Sequence, residues 1–169
     1  IDIYKNELLN EIVPFWSKNS LDKDAGGYFT CLDAKGNVYD TDKFAWLQGR
    51  QIWTYSMLFD KVEAKEEWKD IAELGASFMR KHGRDANGDW YFSFTKRGKP
   101  LVQPYNIFSD CFATMGFGAL CKINNSDEDA DIAVKTFNRI LERRNNPKGK
   151  YSKGFLGTRD LKNFSLPMI

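Results

Sequence analysis

The run Phe44-Ala45-Trp46-Leu47-Gln48-Gly49-Arg50-Gln51-Ile52-Trp53-Thr54-Tyr55-Ser56-Met57-Leu58-Phe59 decides the fold, because as a helix it is apolar on nearly every side, with only Gln48, Arg50, Gln51, Thr54 and Ser56 interrupting. A helix of that kind is expected to be covered all round. The stretch that follows, about Lys65 to His82, sets Trp68, Ile71, Ala72, Leu74, Gly75 and Phe78 among charged residues, and Gly83 follows as the expected C-cap. A covered helix followed by an amphipathic one is what two concentric layers require, since inner helices are buried on both sides and outer helices on one.

Upstream of this pair, Ile3 to Ser17 reads as an amphipathic helix with Ile3, Leu8, Ile12 and Phe15 on its apolar side. Gly26-Gly27 then opens the aromatic stretch Tyr28 to Leu32, and Lys35-Gly36-Asn37 turns it back into Val38-Tyr39 as a β-hairpin. Asp40 to Asp42 supplies helix-start chemistry. Downstream the pattern returns: Gly88, the aromatic stretch Trp90 to Phe94, a turn at Arg97-Gly98-Lys99, Leu101-Val102, and an apolar helix from about Ile107 to Cys121. A second amphipathic helix, Asp127 to about Arg143, is started by Ser126 with Asp129 three residues on. Gly27, Gly88 and Gly149 are each 61 positions apart. A period of that length with an inner and an outer helix per unit marks a helical array or toroid.

The expected architecture is therefore all-α with short β-hairpins, an incomplete toroid of about two and a half helix pairs. Residues 1–169 are read as the N-terminal part of one domain, with the third repeat only begun at Ser165-Leu166-Pro167-Met168-Ile169. An open array of this kind leaves apolar faces uncovered, so self-association into a homo-oligomer or poor solubility is expected.

Composition narrows the functional classes. A net charge of +2 gives no electrostatic footprint for nucleic acid or an anionic membrane, and no apolar run approaches the roughly 20 residues of a membrane span. Cys31, Cys111 and Cys121 are an odd number without CxxC spacing, which argues for reduced thiols in a cytoplasm and against a disulfide framework or zinc site. No phosphate-binding glycine loop, HExxH or strand-linked GxGxxG is present, so neither a metal nor a cofactor is expected; Gly116-Phe117-Gly118 falls inside a helix and reads as a close-packing site.

The stretch Val38-Tyr39-Asp40-Thr41-Asp42-Lys43-Phe44-Ala45-Trp46-Leu47-Gln48-Gly49-Arg50-Gln51-Ile52-Trp53-Thr54-Tyr55 resembles the signature of the N-acylglucosamine 2-epimerase (renin-binding protein) family. The resemblance continues through Gly26 to Leu32, Ile107 to Met115 and Leu166-Pro167-Met168, nearly the whole chain. It implies an (α/α)6 barrel and the interconversion of N-acetylglucosamine and N-acetylmannosamine; relatives act on cellobiose or isomerise mannose. The Trp-Leu-Gln-Gly-Arg run favours the N-acetylhexosamine branch.

Inverting C2 of a reducing sugar removes a proton next to a carbonyl and returns one to the other face through an enediolate. Two proton carriers of pKa near the working pH and one cation for the developing oxyanion are needed. Arg50 is the expected cation, because an unpaired charge in the middle of a covered helix would be costly; a buried pairing with Asp110 is the alternative. Lys43, Trp46, Trp53 and Met57 share its face at helical spacing, making Trp46 a candidate wall for the sugar and Lys43 a candidate contact, with Asp40, Asp42 or solvent as the ordinary surroundings of Lys43. Phe108 and Ser109 begin the second inner helix and either line the cavity or pack. The sole histidine, His82, ends an outer helix and reads as a surface or helix-dipole residue. The resemblance implies that the family's paired histidines lie in later units, so this chain alone is expected to be inactive. Two other readings stand beside the epimerase: a non-catalytic helical-repeat module that binds a sugar or protein, and another (α/α)6 sugar enzyme, such as a glycan hydrolase using Asp110.

Overall fold

The structure, a computed structural model, describes residues 2–104 and 107–145. The N-terminal helix is broken into α1 (Asp2–Glu7), a π-helical segment (Leu8–Ile12) and α2 (Val13–Asn19), with Pro14, which has no N–H to donate, in the first turn of α2. Two helix pairs follow: α3 (Ala45–Lys61) with α4 (Glu66–His82), and α5 (Phe108–Asn124) with α6 (Asp127–Arg143). Helices α3 and α5 pack along each other, and each carries its own partner, α4 or α6, behind it. These are the inner and outer layers that the alternation of apolar and amphipathic stretches implies.

The hairpins are present but shorter than expected. β1 (Cys31–Leu32) pairs antiparallel with β2 (Val38–Asp40), and β4 (Ser93–Phe94) with β5 (Pro100–Val102). A strand absent from the sequence reading, β3 (Lys43–Phe44), pairs with β4 and joins the first unit to the second. Helix α3 consequently starts from extended Phe44 with no side-chain cap, and Asp40 to Asp42 do not begin it. Ser126 does cap α6, accepting from Asp129 N at 3.2 Å. The glycine spacing also shifts. The five-residue turn Asp33 to Asn37, with Gly36 donating to Asp33 O, recurs as Thr95 to Lys99, with Gly98 donating to Thr95 O, a separation of 62 positions. Gly149, the third mark of the spacing, lies outside the described residues, as does the expected third inner helix.

Each unit drives one large aromatic residue beneath its outer helix. Tyr28, fully buried, donates from Oη to Ile71 O at 2.7 Å and lies against Gly75 of α4, where a Cβ would overlap its ring. Trp90, equally buried, donates from Nε1 to Thr136 Oγ1 at 3.1 Å and lies against Gly83. Gly83 is the C-cap of α4 as expected, its N–H donating to Met79 O at 2.8 Å with a right-handed φ of −70°, and it also makes room for Trp90. Gln48 of α3 holds the Tyr28 backbone from the other side, its amide accepting from N and donating to O, both at 2.8 Å. The outer layer is tied by Arg80 of α4, which donates to Glu73 and to buried Asp129 of α6.

Lys43 joins the loops at one end of the array. It is fully buried and donates to Asp22 Oδ2 at 2.8 Å, Gly26 O at 2.5 Å and Lys96 O at 2.8 Å, which uses all three ammonium protons. Burial lowers its pKa and Asp22 opposes that shift. Removing one partner of such a pair strands the other charge in the interior. Lys43→Met is expected to cost about 3 kcal/mol or more in urea unfolding, and Lys43→Met with Asp22→Leu less than Lys43→Met alone; a single variant as stable as the parent would remove this pair from the fold's foundations.

Candidate active site

The residues expected at the site are only partly brought together. Arg50 lies on α3, on the face it shares with Trp46, Trp53 and Met57 at helical spacing, and it is exposed, not buried as its apolar neighbourhood suggested. Trp46, Trp53 and Met57 are all half-buried. The guanidinium carbon lies 5.7 Å from the Trp46 ring centroid and 5.3 Å from that of Phe112 on α5. Trp46 and Phe112 in turn lie 5.9 Å apart with planes tilted by 49°. A charged planar group is thus held against two rings, one from its own helix four residues back and one from the neighbouring inner helix.

Lys43 is not part of this group. It precedes α3 in β3, so the helical spacing that put it on the face of Arg50 does not apply, and its protons are committed to Asp22 and two carbonyls instead of Asp40, Asp42 or solvent. Phe108 and Ser109 form the first turn of α5, one turn before Phe112; Phe108 is half-buried, and Ser109 is only 1% exposed, a packing position. Phe112 is the functional candidate that sequence reasoning missed. Its signal was available in the spacing Phe108 to Phe112 along one helix face, but not its nearness to Arg50.

That nearness comes from two glycines. A Cβ on Gly49 would fall 2.5 Å from Phe112 O, and one on Gly116 would fall 2.7 Å from Gly49 O, so α3 and α5 touch backbone to backbone where both lack side chains. Arg50, next to Gly49, is delivered beside Phe112 by this contact. On its other side Arg50 borders a groove of about 300 Å³ between the N-terminal helix and α3, walled by Leu8, Ile12, Trp16, Leu47 and Tyr55 with Thr30, Gln51 and Thr54 among the polar lining. The Thr30 hydroxyl is buried without a partner.

The remaining titratable groups sit elsewhere. His82 packs against Phe78, ring centroids 5.0 Å apart, beneath the Gly98 turn, and burial lowers its pKa. Asp110 does not pair with Arg50; its neighbour is Arg143 of α6, at 3.4 Å. Among the described residues no group of three or more His, Cys, Asp or Glu side chains is placed to hold a metal, and no helix is long and apolar enough to cross a membrane.

A profile of the N-acylglucosamine 2-epimerase (GlcNAc 2-epimerase) family matches residues 27–163. The chain belongs to this family. It is 34% identical to the N-acylglucosamine 2-epimerase of Rattus norvegicus over 166 residues, 95% of this chain and 40% of the rat protein. It is 29% identical to the cellobiose 2-epimerase of Bacteroides fragilis over 138 residues, 80% of this chain and 35% of that enzyme. Among solved structures, a sugar epimerase from a ruminal bacterium superimposes with a TM-score of 0.76 at 24% identity, covering 84% of this chain and 36% of that one. The chain thus has the (α/α)6-barrel fold of the family over the part it spans, about 40% of the length of the rat relative.

Two consequences are measurable. Gly49→Ala pushes α3 off α5 and is expected to destabilise the chain by about 2 kcal/mol or more, whereas Gly118→Ala, whose Cβ would meet only Ala133 Cβ at 3.9 Å, should be neutral or stabilising by up to about 1 kcal/mol from helix propensity. Equal effects in denaturant titrations would rule out the glycine contact as the spacer. Asp110 is 1% exposed, and burial raises its pKa from 3.8 to about 6, with Arg143 opposing. A carboxyl whose folded pKa is raised contributes stability that is fully present below about pH 4 and lost as pH climbs through about 6. Asp110→Asn should therefore flatten the fall in melting temperature across that window; an unaltered pH profile would contradict the assignment.

Proposed function

We propose that the protein is a sugar 2-epimerase that interconverts N-acetylglucosamine and N-acetylmannosamine by removing and returning the C2 proton through an enediolate. The observation that carries this reading is the Arg50 guanidinium, held by Trp46 and Phe112 on the inner helix of a chain of this family. In this reading Arg50 faces the oxyanion that develops as C2 loses its proton, and Trp46 forms a wall of the sugar site. A fixed cation at that point lowers the barrier because the charge it meets is absent from the bound sugar and develops in the transition state leading to the enediolate. The higher identity to an N-acylglucosamine 2-epimerase than to a cellobiose 2-epimerase favours an N-acetylhexosamine substrate.

Residues 1–169 are, on this proposal, the N-terminal part of one toroid domain, and the two proton carriers come from sequence outside the chain. The only histidine here, His82, ends α4 and packs against Phe78, away from the aromatic group around Arg50. The chain alone then binds at most. Three unpaired thiols fit a reducing cytoplasm. Apolar side chains exposed at both ends of the array, Ile3, Leu8 and Ile12 at one and Val134, Phe137 and Leu141 at the other, support self-association of the isolated chain.

The test follows deuterium uptake from heavy water at C2 of N-acetylmannosamine, using the natural polypeptide that carries this chain, with its intact mass measured alongside. Exchange by the parent and a loss of about 100-fold or more in Arg50→Ala is the expected result. Sugar binding without exchange would favour the non-catalytic module, and full exchange by Arg50→Ala would remove Arg50 from the chemistry.

A further inference from the structure

We infer that Phe112 is a positioning residue that fixes the Arg50 guanidinium while leaving its charge uncancelled, an inference that rests on the catalytic reading of Arg50. Among the described residues the guanidinium meets two neutral rings and no carboxylate. A carboxylate would orient it more strongly but would also neutralise the charge that an oxyanion needs. An aromatic face orients a guanidinium through its quadrupole and by stacking, and leaves the in-plane N–H groups free to donate outward. Arginine otherwise has a long, mobile stem, so an exposed guanidinium without such contacts samples many rotamers.

Three features make Phe112 the determinant. Its ring is the nearer of the two, at 5.3 Å against 5.7 Å for Trp46. It comes from a different helix, so it restricts the swing of the side chain in a direction that Trp46, on the same helix, does not. Its backbone is fixed to that of Arg50's helix at the Gly49 contact, where no side chain intervenes to vary the spacing. Trp46 and Phe112 also touch each other, so neither ring relaxes alone.

The experiment uses the natural polypeptide with Phe112→Leu, which keeps an apolar side chain without a quadrupole, and Phe112→Tyr, which keeps the ring. Two readouts are paired: kcat and KM for C2 exchange on N-acetylmannosamine, and the mobility of the Arg50 Nε–H group by nitrogen-15 relaxation, its signal assigned by its loss in Arg50→Lys. Phe112→Leu is expected to lower kcat about tenfold with KM changed far less, and to raise Arg50 mobility, while Phe112→Tyr resembles the parent in both. An unchanged kcat in Phe112→Leu overturns the inference, as does a fall in kcat with Arg50 mobility unchanged, which would mark Phe112 as merely structural. Should Phe112→Leu fail to fold by thermal melting, Phe112→Met is judged by the same two readouts. Full exchange by Arg50→Ala is a separate result: it overturns the catalytic reading and this inference with it, whereas an inactive Arg50→Ala beside a fully active Phe112→Leu overturns only the inference.

Discussion

The contact between the backbones of α3 and α5 at Gly49 and Gly116 sets the geometry on which the rest of this array depends. Two helices with ordinary side chains at their crossing stand 8–10 Å apart. With hydrogen in place of Cβ at both positions, the carbonyl of Phe112 and that of Gly49 lie against the partner helix. Everything aromatic around the site is then placed by where it sits relative to this crossing. Trp46 is one turn before it on α3, Phe112 is at it on α5, and Arg50 follows it by one residue. A larger residue at either glycine would move one helix as a rigid rod and withdraw the Phe112 ring from the guanidinium.

Two cations in the same unit have opposite surroundings, one compensated by a carboxylate and carbonyls, the other set against rings. Lys43 is stripped of water and compensated by Asp22 and two carbonyls, which take all three of its protons. Two unit charges 4 Å apart attract by about 4 kcal/mol at an effective dielectric of 20, enough to lock three loop segments once the desolvation cost has been met. Arg50 has the aromatic rings of Trp46 and Phe112 as neighbours instead. Each such contact contributes only about 0.5–1 kcal/mol at an exposed site, so its value lies in orientation more than in stability.

The helices and both hairpin turns were legible in the sequence because they rest on local rules. Ser126 caps α6 through its own side chain, Gly36 and Gly98 take up the positive φ of their turns, and the apolar periodicity marks which helix is inner. What escaped was non-local. Lys43 looked solvated because its partner, Asp22, lies 21 positions upstream and reaches it only when the loop folds back. Strand β3 is two residues long and exists through pairing with β4 in the next unit. Arg50 looked buried because periodicity reports apolar neighbours, and a helix face bordering a cavity has the same composition as one covered by protein. The role of Phe112 required the crossing point of two helices some 60 positions apart, a quantity that neither spacing nor composition carries.

Helical arrays bury an apolar face only where a neighbouring pair stands against it, and the exposure along this chain follows that rule. Ile52, Phe117 and Leu120 of the two inner helices are fully buried, while Ile3 is 80% exposed at one edge and Val134 60% exposed at the other. On the face of α3 that carries Arg50, Trp46, Trp53 and Met57 are half-buried and Arg50 itself is exposed. For the proposed chemistry this matters, because the worth of a positioned cation depends on what surrounds it: at 4 Å an oxyanion gains about 1 kcal/mol from a unit charge in bulk water and several times that once the site is enclosed. The rings of Trp46 and Phe112 determine where the guanidinium points; how much it can lower a barrier is decided by whatever excludes water from that face. Orientation is thus built into the two helix pairs seen here, and in the proposed enzyme the catalytic strength of Arg50 would come from what encloses that face.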